Sequence, residues 1–282
     1  MATKKKDTAT KETAIATIGP ELSGFPVLNP AEAEEALDVI RENLGSAGFQ
    51  IGNLDRITVP PGGGKVFTVN TGDAEECVPK LTGIIVLAPE QNALWAKTME
   101  EAPNDPPICF SGDGIHGTGD PFETGSIETH LCATCPKKAW GTDLKGGKGK
   151  ACRDLRPIFL LQEGEYLPII VQTPRMSLKR LSGYFTLLAR KGIPYYSVVT
   201  EIGLAQEQKS GTPLYSILTF AMKALIPKEL RPTIKEFQGA LRAHSFTPPI
   251  AAEFKEDAGN GEVFQEQYNP FTEEGETPPE TS

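Results

Sequence analysis

Apolar positions recur along this chain with two distinct periods. Between residues 30 and 44, Ala33, Leu37, Ile40 and Leu44 return every three or four places, the spacing of a single helical stripe. Asn29 can cap that helix, Pro30 suits its first position and Gly45 suits its stop. Residues 56–59 and 65–69 read as two short strands around Pro60-Pro61-Gly62-Gly63-Gly64, which predicts a hairpin turn there. Residues 83–88 form a third strand, rich in β-branched side chains. A long segment bearing Gly, Asp and Cys, residues 104–156, interrupts the pattern. Beyond it, residues 157–161 and 167–172 read as strands. Ser177 is placed to cap a helix on which Leu178, Leu181, Phe185 and Leu188 share a face and which ends at Gly192. Residues 195–204 and 214–220 predict a strand pair across a turn at Lys209-Ser210-Gly211, and residues 232–243 a last helix.

Several strands, one helix, then two more strands is the β-β-β-α-β-β order of an OB-fold barrel. The predicted fold is therefore mainly β with flanking helices (α+β), an OB-fold-like core over residues 29–246. The cysteine-bearing insertion is expected between the second and third strand positions. Residues 1–28, with few large apolar groups, predict a flexible basic arm around Lys4-Lys5-Lys6. Residues 247–282, rich in Pro, Glu and Gly, predict a disordered acidic tail.

The chain's 282 residues suffice for one sizeable core. No apolar run approaches the roughly 18 residues of a membrane span, and the N-terminal residues lack the apolar stretch of a secretion signal. These features predict a cytoplasmic protein without membrane contact. The net charge of −9 is unevenly placed: residues 131–191 hold 12 bases against four acids, whereas residues 251–282 hold nine acids and one base.

Four of the five cysteines, Cys109, Cys132, Cys135 and Cys152, fall within 44 residues; Cys77 stands apart. In a reducing compartment such clustering points to metal rather than disulfide. Cys132-Ala133-Thr134-Cys135-Pro136 is a knuckle that lets two thiolates converge, and Cys152 follows a run whose glycines permit close approach. The expected cofactor is one structural Zn2+ held by Cys109, Cys132, Cys135 and Cys152, with His130 and His116 as competitors for the place of Cys109. An iron–sulfur cluster would accept the same four thiolates.

Around the cysteines lie Lys137, Lys138, Trp140, Lys145, Lys148, Lys150, Arg153 and Arg156. Bases with one indole in a clamped loop are the composition of a surface that tracks phosphates and stacks a base. Lys179 and Arg180, on the exposed side of the Ser177 helix, extend it. Tyr195, Tyr196 and Phe110 are further stacking candidates, against the ordinary tendency of strand aromatics to be core. Gly112-Asp113-Gly114-Ile115-His116-Gly117 matches a dinucleotide-binding spacing, but the pattern predicts neither a preceding strand nor a following helix. The three histidines form no hydrolytic motif, so the chain is not read as an enzyme.

Together, Cys109-Phe110-Ser111-Gly112-Asp113-Gly114, the Cys132–Cys135 knuckle with Pro136, Trp140-Gly141 and Gly147-Lys148-Gly149-Lys150-Ala151-Cys152 resemble a group of tailed-phage and prophage proteins. Those proteins contain zinc and are described as single-stranded DNA-binding proteins. The likeness covers roughly residues 107–200 and includes Thr173-Pro174 and Ser177-Leu178-Lys179. It implies a four-cysteine site and single-stranded DNA as partner, in phage DNA replication, recombination or repair. The acidic tail fits this layout. In the replicative binders that the chain resembles, such tails occupy the protein's own basic groove and recruit replication or recombination proteins, and here Phe254, Phe264, Tyr268 and Phe271 could anchor in a partner. The reading from a different class is an adaptor whose zinc ribbon docks a replication or transcription factor.

Overall fold

The computed structural model describes residues 24–44, 50–70, 74–98, 100–208, 213–244, 246 and 248–250. The Lys4-Lys5-Lys6 arm, the Lys209-Ser210-Gly211 turn and residues 251–282 of the acidic tail lie outside them. The protein is a mixed α+β structure built on two larger sheets. In chain order the elements are α1 (Pro30–Leu44), β1 (Arg56–Ile57), β2 (Phe67–Asn70), β3 (Glu75–Val78), β4 (Lys80–Leu87), β5 (Gln91–Leu94), β6 (Cys109–Ser111), β7 (His116–Gly119), β8 (Glu128–Leu131), β9 (Arg153–Leu155), β10 (Ile158–Gln162), β11 (Ile169–Val171), α2 (Arg175–Arg190), β12 (Val198–Glu207), β13 (Tyr215–Leu225) and α3 (Arg231–Ala243).

The main sheet runs β1-β11-β10-β4-β12-β13, antiparallel throughout except for the parallel β1–β11 pair. Its central strands are apolar at consecutive positions because both faces are covered. In β10, Phe159 and Leu161 enter one core while Ile158 and Leu160 enter the other. In β4, Ile84 and Val86 face one side and Leu81 and Ile85 the opposite side. Successive side chains of a strand point to opposite faces, so a run such as Ile158-Phe159-Leu160-Leu161 is what a sheet buried on both sides requires. One face packs on α3 and on Phe25, Val27, Leu28, Ile51 and Leu54; the other packs on α2 and Phe67.

Several expectations are corrected here. Residues 25–28 are no part of a flexible arm: Phe25, Pro26, Val27 and Leu28 are buried, four apolar residues that seal an edge of the first core. Pro249 is likewise buried and Phe246 meets Phe159 edge-on, so the core extends past residue 246. The Pro60–Gly64 segment closes no hairpin. Strand β1 pairs with β11, β2 pairs with β3, and the Gly63 and Gly64 carbonyls accept hydrogen bonds from Gln206 and Ser216 at the end of the β12–β13 pair. Ser177 does not cap α2. Pro174 holds that position, and the buried Ser177 Oγ instead accepts the Leu218 amide at 2.9 Å, tying α2 to β13. Tyr195 opens a short 3-10 turn (Tyr195–Ser197) ahead of β12 rather than the strand itself. On α1, Ile40 is half-buried and Leu44 exposed.

The second sheet, β8-β7-β6-β5-β9, is the cysteine-bearing subdomain. It leaves the main sheet after β4, the third predicted strand, and returns at β10, the fourth, so it does not lie between the second and third strand positions. Its apolar clusters are small: Ala93, Trp95 and Leu155, and Leu94 with Cys109, Ala151 and Cys152. Among the described residues no helix is long and apolar enough to cross a membrane.

Candidate metal centre and basic surface

The subdomain folds around its cysteines. Cys109 lies on β6, held between Leu94 of β5 and Gly119 of β7. Cys132 and Cys135 follow β8 in two consecutive 3-10 turns, Cys132–Thr134 and Pro136–Lys138. The Cys132 amide donates to the Ile115 carbonyl at 2.8 Å and the Cys135 amide to the Cys132 carbonyl at 3.2 Å. Cys152 is brought in by its amide, which donates to the Lys137 carbonyl at 2.9 Å. All four thiols, together with His130, line one small cavity whose wall also holds Asn92, Ser111, Lys137 and Lys138. The Nε2 of His130 is 3.5 Å from Cys109 Sγ.

Electrostatics ties the thiols to one another. Burial, then the neighbouring Cys132 and Cys135, pushes the Cys109 thiol up to about 11. Burial, then Cys109, Cys132, Cys135 and Asp154, pushes Cys152 up to about 12. Each thiolate disfavours its neighbours, and a bound dication reverses that preference. As they stand, no three Cys, His, Asp or Glu side chains among the described residues are set at metal-holding geometry. The donors nonetheless share one cavity.

Gly117 is the residue that sequence inspection missed. A Cβ at this position would lie 3.1 Å from Cys109 Sγ, 3.2 Å from His130 Nε2 and 3.4 Å from Cys132 Sγ, so glycine keeps open the space between three donors. No local motif marks it, because the need for glycine comes from side chains on β6, on β8 and after β8. Gly117→Val is expected to lower metal affinity at least tenfold, the scale on which disturbing a site's surroundings acts. Competition with a chromophoric zinc chelator measures this; unchanged affinity would show that the donors do not meet over Gly117.

His116, the other histidine competitor, lies elsewhere. Its Nδ1 is 3.1 Å from Asp113 Oδ2 and the side chain is exposed. Asp113 organises the turn between β6 and β7: its carboxylate accepts the His116 and Ile115 amides and the Ser111 hydroxyl, which hold it well below the usual carboxylate range. The Gly112–Gly117 segment does follow a strand, β6, contrary to expectation, but it leads into β7 and not into a helix.

The basic residues divide into two groups. Lys138 and Lys150 both meet Asp154, Lys145 meets Glu100, Arg156 meets Glu90 and Arg180 meets Glu207. Five of the nine basic residues predicted to contact phosphates therefore already face a carboxylate. The Lys145 and Arg180 pairs are exposed and worth about 0–1 kcal/mol each, so a polyanion can exchange them, whereas Lys138, Lys150 and Arg156 are largely covered. Lys148 and Lys179 are exposed, Lys137 is half-buried beside the cysteines, and the Arg153 guanidinium lies 5.8 Å over the ring of the buried Trp95. Trp140 remains 43% exposed with Lys150 Nζ 4.9 Å from its ring. The Gly141 amide, donating to the Gly149 carbonyl at 2.8 Å, clamps this loop.

The tyrosines are placed differently from expectation. Tyr195 stacks on Phe185 at 4.8 Å, meets Tyr196 edge-on, and both are half-buried against the two cores. Phe110 packs beside Trp95. These three aromatics serve packing, for which the apolar environment of both sheets selects them. Comparison with family models, with curated proteins and with solved structures finds no match for this chain.

Proposed function

We propose that this protein is a zinc-stabilised, non-enzymatic single-stranded DNA-binding protein with little sequence preference, serving phage DNA replication, recombination or repair. The observation that carries this reading is the exposed Trp140 framed by Lys148 and Lys150 on one clamped loop of the cysteine subdomain. An exposed indole to stack a base and the exposed Lys148 to meet a phosphate are the two components of sequence-tolerant single-strand binding.

The strand arrangement supports it. Numbering β4, β10, β11, β12 and β13 as one to five, their spatial order is 3-2-1-4-5, with α2 between the third and fourth. That is the order of an OB-type sheet, and the cysteine subdomain then occupies the connection between its first two strands, one of the loops through which OB folds hold oligonucleotides. Segment 56–64 runs from β11 to the end of the β12–β13 pair, across the gap that a closing contact would span. Zinc, bound by Cys109, Cys132, Cys135 and Cys152, would supply a rigid cross-link for the loop bearing Trp140; His130 competes for one of these places.

Anisotropy of labelled oligo-dT tests the reading. With about four phosphates neutralised, the single-strand salt slope gives an affinity loss of about 50-fold between 50 and 200 mM salt. Equal affinity across that range, or no binding by folded, zinc-loaded protein at low salt, would overturn it. The second outcome would favour the adaptor reading, for which one observation speaks: Ile115, Phe122, Ile127 and Leu131 stand exposed on or beside the β7–β8 hairpin.

A further inference from the structure

Helix α2 and the residue after it carry Arg175, Lys179, Arg180, Arg190 and Lys191, all exposed, and no Asp or Glu lies between residues 175 and 191. Arg175, Lys179, Ser182, Thr186 and Arg190 recur every three or four positions along one outer face, opposite the buried Ser177, Leu181, Tyr184 and Leu188. From Arg175 to Arg190 that face spans about 22 Å. Arg190 and Lys191 suit the C-terminal end of the helix dipole, but the bases at the other end do not. The first turn holds no acid and no capping side chain, while Arg175, Lys179 and Arg180 crowd the end where the helix dipole is already positive. Arg180 pairs there with Glu207, and the exposed Lys179 and Arg190 leave the outer face positive, as an anion requires.

The chemistry of this face differs from that of the Trp140 loop. No aromatic side chain on α2 is free to stack: Tyr184 is buried against Phe220, and Phe185 lies between Tyr195 and Arg156. The face can meet phosphates but cannot hold an unstacked base. A duplex presents that pattern, a phosphate backbone whose bases are already stacked. Helix α2 packs against the end of the cysteine subdomain. Arg156, at the end of the cysteine loop, lies 5.0 Å over the Phe185 ring in the middle of α2 and bonds the Ala88 carbonyl.

We infer that the preferred ligand is a junction between single-stranded and duplex DNA, with the single strand on the Trp140 loop and the duplex backbone on the outer face of α2. This rests on the single-strand reading above and names its substrate more closely. The test compares three labelled probes, an oligo-dT strand, a blunt duplex and a duplex with an oligo-dT tail, on wild type and on Arg190→Gln/Lys191→Gln. Wild type is expected to bind the tailed duplex at least tenfold more tightly than oligo-dT at equal salt. The double variant should lose that preference, with a salt slope on the tailed duplex shallower by about 1.8, and should keep its oligo-dT affinity within twofold. Its melting temperature should stay close to the wild-type value, since both side chains are exposed. Equal wild-type affinity for oligo-dT and tailed duplex overturns the inference and leaves the single-strand reading standing. Preference retained in the double variant removes α2 from the interface. Polyglutamate competing as well as the tailed duplex would mark the face as one for acidic proteins. Failure to bind any probe overturns both readings.

Discussion

Replacing Cys152 with Ser is expected to release the metal and to melt residues 91–155 while the main sheet persists. The two parts have unequal resources. The main sheet is buried on both faces by large side chains, with Ile84, Ile85, Ile158, Leu160, Leu161 and Leu181 fully enclosed. The cysteine subdomain buries little beyond Ala93, Trp95, Leu155, Leu94 and Ala151. Strands of three and four residues over so small a core do not hold by hydrophobic burial alone. Structural zinc supplies about 10–16 kcal/mol of apparent binding energy in small zinc modules, and where no site exists in the unfolded chain that energy is folding energy. In the proposed zinc site, a Ser hydroxyl in place of the Cys152 thiolate would leave three sulfurs and an open position. Metal analysis should fall below one zinc per chain. Thermal unfolding should split into an early transition and a late one, and limited proteolysis should cut between residues 91 and 155. Chelator treatment of wild type should reproduce all three results. Metal-free wild type that keeps a single transition and resists the protease would show that the subdomain needs no zinc.

How much of this was legible in the sequence follows from what each feature depends on. The four cysteines could be grouped from spacing because a knuckle is local, and the structure does bring all four to one cavity. Alternation along Ile158-Phe159-Leu160-Leu161 could not be read, since a strand buried on both faces shows a solid apolar run and not a period of two. The β1–β11 pairing joins residues more than 100 positions apart, and no local signal encodes such a partner. The Pro60–Gly64 segment looked like a hairpin because its composition is that of a turn; the carbonyls that Gln206 and Ser216 engage are invisible in sequence. Ser177 was a reasonable cap by residue type, but a buried hydroxyl facing β13 is worth more to the fold than one at a solvated helix end. Pairing of Lys145 with Glu100 and Arg156 with Glu90 likewise emerges only once β5 and its flanks are folded against the loop. Charge counts along the chain therefore overstate how much of the basic centre is free.

On the proposed reading, Trp140 is the residue on which DNA binding would most directly depend. Trp140→Ala is expected to weaken oligo-dT binding by the 1–3 kcal/mol that one stacked base contributes, roughly 5- to 150-fold. The slope of affinity against salt should not change, because the indole carries no charge. Lys148→Gln should do the reverse, reducing the slope by about 0.7 with a smaller loss at low salt. This contrast separates stacking from phosphate neutralisation. The substitution should leave the fold intact: Trp140 is exposed, and Lys150 keeps its ion pair with Asp154 at 3.0 Å after losing the ring beneath it. Fluorescence offers an independent readout. Of the two tryptophans Trp95 is buried, so quenching on addition of oligo-dT should come from Trp140 and vanish in the variant. Trp140→Phe should retain part of the affinity, since a smaller ring still presents a face. Wild-type affinity in Trp140→Ala, with no quenching in the parent protein, would remove the stacking platform. The loop would then hold the strand by charge alone, and duplex should bind it as well as single strand does.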